Sequence, residues 1–112
     1  MKIIIVGCGK VGATLAEQLS GEGNDIVVID PNYEKVQAIS NAFDILGVAG
    51  SGSSHSVQVE AGIESADLLI AVTGSDELNL LCCLIAKKSG NGCQTIARVR
   101  SPEYNQELRF IQ

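Results

Sequence analysis

Three glycines spaced as Gly7-Cys8-Gly9-Lys10-Val11-Gly12 are the residues of this chain best arranged to do chemistry. In a GxGxxG turn the first glycine permits a tight bend and the second lets backbone approach a pyrophosphate with no Cβ in the way. The third lets the following helix pack close to the preceding strand. The amino terminus of that helix then offers unpaired N–H groups and the positive end of its dipole to phosphates. Asp30 lies 18 positions after Gly12. There a carboxylate can accept hydrogen bonds from both hydroxyls of an adenosine ribose. A 2′-phosphate would meet this carboxylate at close range, and Pro31 and Asn32 follow it rather than an arginine. The pair therefore reads as a site for NAD or NADH, alternatively for ATP or ADP. Asp30 has a plainer reading as the cap of the next helix, and Lys10 reads either as solvated or as neutralising a terminal phosphate. Lys35 reads either as reaching the adenosine side or, more simply, as a solvated helix lysine.

The motif has meaning only between a strand and a helix, and the flanking residues predict both. Lys2 to Val6 is a continuous β-branched run, the pattern of a strand buried on both faces. Val11, Leu15, Ala16 and Leu19 recur at helical spacing and stop at Ser20-Gly21-Glu22-Gly23, which predicts a helix over about Val11 to Ser20. Ile26 to Ile29 is a second buried strand ending at Asp30. Pro31 and Asn32 then open a helix that turns Val36, Ile39 and Phe43 inward. Asp44 to Ala49 reads as a third strand at a sheet edge, Ser56 to Ala61 as a short helix and Leu68 to Val72 as a fourth strand. Glu77 to Lys88 reads as a helix capped by Asp76 or Ser75, with Leu78, Leu81, Leu84 and Ile85 forming either a core face or a subunit contact. Thr95 to Val99 is a fifth strand, and a last helical pattern begins at Pro102 and is cut off at Gln112, as in a fragment of a longer chain. Alternating strands and helices of this kind predict an α/β fold, a Rossmann-type doubly wound parallel sheet in the order 3-2-1-4-5, as a single domain. Ligands of such sheets bind at the carboxyl ends of the strands. That rule adds Gly50-Ser51-Gly52-Ser53, Thr73-Gly74 and Arg98 to the candidate site: hydroxyls and bare backbone for adenine or ribose, and a guanidinium for a phosphate or for a surface ion pair.

Composition narrows the class. The 112 residues fit one domain, and 46% apolar residues are enough for a core without staples. A formal charge of −5 with only 8 Lys and Arg argues against a nucleic-acid partner. No apolar run approaches the ~18 residues of a membrane span, so no direct membrane insertion is expected. Cys8, Cys82, Cys83 and Cys93 have no CxxC spacing, which predicts small buried hydrophobes rather than a metal or redox centre.

An oxidoreductase cofactor domain is the competing reading. Hydride transfer needs an acid or base beside the nicotinamide. The one histidine, His55, sits in a serine-rich loop without a patterned carboxylate, and Asp76 and Glu77 suit a helix start. No residue is assigned a catalytic role.

The chain resembles the amino-terminal nucleotide-binding domain of TrkA-type potassium-uptake regulators, the TrkA-N, RCK or KTN domain. The resemblance rests on KIIIVGCGKVGATLAEQL at the start, VVID at Asp30, the loop at Gly50, ADLLIAVTGSDELNLL from Ala66 to Leu81 and IARVRSPEY from Ile96 to Tyr104. It implies a non-enzymatic regulatory module of a potassium uptake system. Such a module binds NAD or NADH, or ATP or ADP, and gates transport by a membrane potassium transporter subunit. It also implies a homo-oligomer, a dimer or a ring, that is cytoplasmic and peripheral to the inner face of the plasma membrane through that transporter. The family's nucleotide contacts fall by position on Gly7, Cys8, Gly9, Lys10, Val11, Asp30, Gly50, Ser51, Thr73, Gly74 and Arg98, with Gly12 completing the motif. Ser51 departs from the aspartate that many family members carry after this glycine, which weakens the expectation of adenine contacts through that loop.

Overall fold

The computed structural model of the protein describes residues 1–89 and 92–103. Its elements run β1 (Lys2–Val6), α1 (Lys10–Gly21), β2 (Asp25–Asp30), α2 (Tyr33–Phe43), β3 (Leu46–Ala49), α3 (His55–Glu60), a 3-10 turn over Ile63–Ser65, β4 (Leu68–Ala71), α4 (Asp76–Ser89) and β5 (Gln94–Ala97). The five strands form one parallel sheet in the order β3-β2-β1-β4-β5. Ile4 pairs with Val27 on one side and with Leu69 on the other, so β1 is the middle of the sheet.

Strand side chains point alternately to opposite faces, and both faces are buried. Ile3 and Ile5 join Ile26, Val28, Ile70 and Val72 in one core layer, closed by Ala16 of α1 and by Val36 and Ile39 of α2. Ile4 and Val6 join Val27, Ile29, Leu69 and Ala71 in the other, closed by Ala61, Ile63, Cys82, Cys83 and Ala86. At roughly 2 kcal/mol per buried branched side chain, β1 alone anchors both layers.

Three expectations shift. The third strand begins at Leu46 rather than Asp44, because Asp44 adopts the left-handed conformation (φ 53°, ψ 51°) that closes α2. It is an edge strand, with Leu46 72% exposed. In α4 the inward residues are Asn79, Cys82, Cys83 and Ala86, whereas Leu81 and Leu84 are 45% and 60% exposed. Of the residues read as either a core face or a subunit contact, Leu81 and Leu84 are therefore outside the core, and small side chains let the helix sit close to the sheet. Thirdly, β5 runs Gln94–Ala97 and stops two residues before the expected Val99. Of the two expected caps of α4, Ser75 serves, accepting from Leu78 N at 3.2 Å, while Asp76 accepts from Arg100 N and Ser101 N. The helix expected over Pro102 to Gln112 lies largely outside the described residues.

All four cysteines are free and buried. Burial, reinforced by the Asp30 carboxylate, pushes the Cys8 thiol from 9.0 up to about 11. Burial does the same at Cys82, with Cys83 adding a smaller push. A raised folded-state value means that the neutral thiol stabilises the fold below the unfolded value and that this contribution disappears as pH rises. Urea midpoints should hold steady to about pH 9 and fall between there and about pH 11, with a shallower fall in Cys82→Ala. Gly12→Ala should lower stability by more than about 3 kcal/mol in urea unfolding, because a Cβ there collides with Gly7 O. Gly21→Ala, whose Cβ would meet nothing within 4 Å, should leave stability unchanged or slightly raised.

Candidate nucleotide-binding site

The glycine loop leaves β1 at Gly7, whose φ of +114° is open to glycine at little cost. A Cβ on Gly7 would lie 3.0 Å from Val72 O and 3.1 Å from Thr73 N, so this residue also brings the first loop against the loop after β4. Gly7 N donates to Ile29 O at 2.8 Å, which ties the same turn to the end of β2. Gly9 is the N-cap position of α1 and offers no side chain, and the first turn of the helix holds no acidic residue. By contrast, Asn32, Ser54 and Ser75 cap α2, α3 and α4 with their side chains. The helix behind the glycine loop is thus the uncapped one among the four described α-helices, with its first N–H groups free of side-chain acceptors. Lys10 and Val11 are exposed at this end, and Gly12 is buried against Gly7.

Asp30 stands at the end of β2, half-buried, and both of its oxygens work. Oδ2 accepts from Cys8 N at 2.9 Å and Oδ1 accepts from Asn32 N at 2.8 Å. The first bond fixes the glycine loop; the second fixes the start of α2. Each carboxylate oxygen retains a further lone pair for an outside donor. The backbone carbonyl of Asp30 accepts from Gly50 N at 3.0 Å, which places the loop after β3 alongside. In that loop Ser51 Oγ is 2.9 Å from Ser53 Oγ, and Ser51 O accepts from Ser54 N at 3.1 Å.

On the other side of the switch point, Asn79 does what no sequence pattern announced. It is fully buried in α4. Its Oδ1 accepts from Thr73 N at 2.8 Å and from Thr73 Oγ1 at 2.6 Å. Its Nδ2 donates to Thr73 O at 3.2 Å and to Arg98 O at 2.9 Å. One amide therefore sets the Thr73-Gly74 turn and the end of β5 together. A second pair supports them: Arg100 Nη2 donates to Gly74 O at 2.7 Å, and Asp76 accepts from Arg100 N at 3.0 Å and Ser101 N at 2.8 Å. Those two backbone donors, with smaller help from the Arg100 and Arg98 charges, hold the Asp76 carboxyl below its ordinary range. An open cleft of about 430 Å³ runs from Gly74 and Ser75 to Arg100 and Ser101 at this flank. An aspartate at a helix start and an arginine after a strand end were the available signals, but only the fold pairs them.

The structure thus brings Gly7 through Gly12, Asp30, Gly50, Ser51, Thr73, Gly74 and Arg98 to the carboxyl edge of the sheet, the first three loops joined by direct contacts. His55 is elsewhere: its Nδ1 lies 2.8 Å from the hydroxyl of Ser89, the last residue of α4. Asn79→Leu should keep the fold but lower stability by about 3 kcal/mol in urea unfolding, since Thr73 and Arg98 backbone groups lose their partner.

Residues 3–112 match the TrkA-N domain family model. The chain is 46% identical to the Trk system potassium uptake protein TrkA of Vibrio alginolyticus over 111 residues, 99% of this chain and 24% of that protein. It is 47% identical to the protein of the same name from Halomonas elongata over 104 residues, 93% of this chain and 23% of that one. It therefore spans about a quarter of the length of these relatives. Among solved structures, the GsuK channel bound to NAD superposes with a TM-score of 0.82 at 26% identity, over 97% of this chain and 20% of the channel chain. A family match along nearly the whole chain, joined to relatives at this level of identity, shows that the chain belongs to the TrkA-N domain family.

Proposed function

We propose that this chain is the nucleotide-sensing domain of a potassium-uptake regulator and that it binds NAD or NADH, with ATP or ADP as the alternative ligands. The observation that carries the reading is the Asp30 carboxylate, bonded to Cys8 N at 2.9 Å beside an uncapped helix start. A ribose acceptor and a phosphate cradle are thereby held in one piece before any ligand arrives. The residues present fit a dinucleotide: a Cβ on Gly9 would project into space with no protein atom within 4 Å, which is room for a pyrophosphate. Gly9, Lys10 and Val11 would face the phosphates with Gly12 holding the helix against Gly7 behind them, Asp30 would face the adenosine ribose, and Gly50 and Ser51 the adenine side. Thr73, Gly74 and Arg98 would line the remaining half. Relatives named as Trk system potassium uptake proteins, and a structural neighbour bound to NAD, support the same assignment.

The proposed role is regulatory. A bound nucleotide supplies binding energy that differs between two packings of the neighbouring domains, and that difference, not affinity itself, shifts transport. The partners in this proposal are a membrane potassium transporter subunit and further copies of the regulator in a dimer or ring. The exposed Leu81 and Leu84 provide apolar surface for such contacts. No helix among the described residues is long and apolar enough to cross a membrane. The proposed location is the cytoplasmic side of the plasma membrane, reached through the transporter.

Calorimetric titration of the full chain with NAD, NADH, NADP, ATP and ADP tests this. Ligands without a 2′-phosphate should bind, and Asp30→Ala should weaken them roughly tenfold to a hundredfold, as expected for hydrogen bonds to a charged acceptor. Gly9→Ala should leave stability within about 1 kcal/mol of wild type, because its Cβ meets no protein atom, yet abolish binding. Failure of every nucleotide to bind wild type would sink the proposal.

A further inference from the structure

Gln58 lies in α3 with Val57 and Val59 on either side, and it is fully buried. Its amide nitrogen donates twice. One hydrogen goes to Gly52 O at 2.7 Å, in the loop after β3, and the other to Cys82 O at 3.0 Å, in the middle of α4. Both partners are backbone carbonyls, so the amide orientation is fixed: reversed, it would set its own oxygen against two acceptors. The side-chain oxygen Oε1 is buried and has no hydrogen-bond partner among the described residues. Packing does not account for an amide here. An apolar side chain of similar volume would fill the same space without stranding an acceptor.

What the amide does is join two elements. Gly52 is pressed onto Val6 at the end of β1 and onto Cys82, leaving no room for a Cβ. Cys82 in turn is buried, while its neighbour Leu81 and Leu84, two positions on, face outward. We infer that Gln58 is a positioning residue that makes the loop after β3 and helix α4 one mechanical unit. A displacement of the Gly50 to Ser53 backbone is then felt at Cys82 and at the outward face beside it. The inference rests on the nucleotide reading only for the identity of what displaces the loop.

Amide hydrogen exchange on the full chain, free and with NAD, tests the link. In free Gln58→Leu, exchange across residues 50–54 should rise roughly tenfold over wild type, the factor that corresponds to losing about one net hydrogen bond. With NAD, protection of residues 50–54 should persist in that variant, while the protection of residues 82–86 expected in wild type should vanish. Gln58→Glu supplies a readout that a mere filler of the core would not move. The carboxylate has no donor, whereas the protonated acid regains one, so loop exchange relative to wild type at the same pH should be high at neutral pH and fall as pH is lowered. Equal loop exchange in free wild type and Gln58→Leu, or a ratio in Gln58→Glu that ignores pH, overturns the inference. If NAD changes nothing in wild type, the nucleotide reading fails, and the comparison of the free proteins still decides the role of Gln58.

Discussion

The contact between Gly7 and Gly12 governs this structure. With a hydrogen where other residues carry Cβ, Gly12 lets the first turn of α1 lie directly on the carbonyl of Gly7. The helix axis is thereby aimed at the end of the central strand. From that contact follow the position of Ala16 in the core and the placing of the unpaired N–H groups at the edge of the sheet. Gly7 itself abuts Val72 and Thr73, so the same turn determines how close the loop after β4 can come. A bulkier turn would separate the two halves of the site before any functional side chain was considered.

Around that contact the loops are held by polar groups that serve backbone rather than solvent. Asp30 binds the glycine loop and the start of α2, and Asn79 binds the loop after β4 and the end of β5. These are the two sides of the switch between β1 and β4: Asn79 has its hydrogen-bonding capacity committed, and Asp30 commits one acceptor site of each oxygen while keeping another open. Such arrangements resist reorganisation because a broken bond leaves a buried group unpaired. The loops at this edge are accordingly held in place, and in the proposed nucleotide site little ordering entropy would remain for a ligand to offset.

The sheet was legible because strands buried on both faces must be apolar throughout, and IIIV of Ile3 to Val6, IVVI and LLIAV are. The placing of the glycine loop after β1 and of Asp30 at the end of β2 was legible because a strand-turn-helix motif fixes both offsets. Asn79 and Gln58 were not. A single amide inside an apolar helix has no periodicity to betray it, and its value lies in carbonyls 6, 19 and 24 positions away. Which residues of α4 turn inward stayed open in the sequence, for a related reason. Counting bulky residues favours Leu81 and Leu84, but a helix packed tightly on a sheet buries cysteine and alanine and leaves leucine outside. β3 was read two residues too long because helical closure by a left-handed aspartate leaves no mark in hydropathy.

The four helix starts are not alike. Asn32, Ser54 and Ser75 accept the first N–H groups of α2, α3 and α4, as a stable helix end prefers by about 1 kcal/mol over alanine. α1 has glycine where its cap would be, although serine would suit the extended backbone there (φ −75°, ψ −166°). A capping hydroxyl would occupy the donors and put atoms into the space in front of them. Glycine costs the helix only about a few tenths of a kcal/mol there, and it leaves an open set of donors at the edge where Asp30 presents its carboxylate. Of the four helix starts, it is the one beside that carboxylate that is left uncapped.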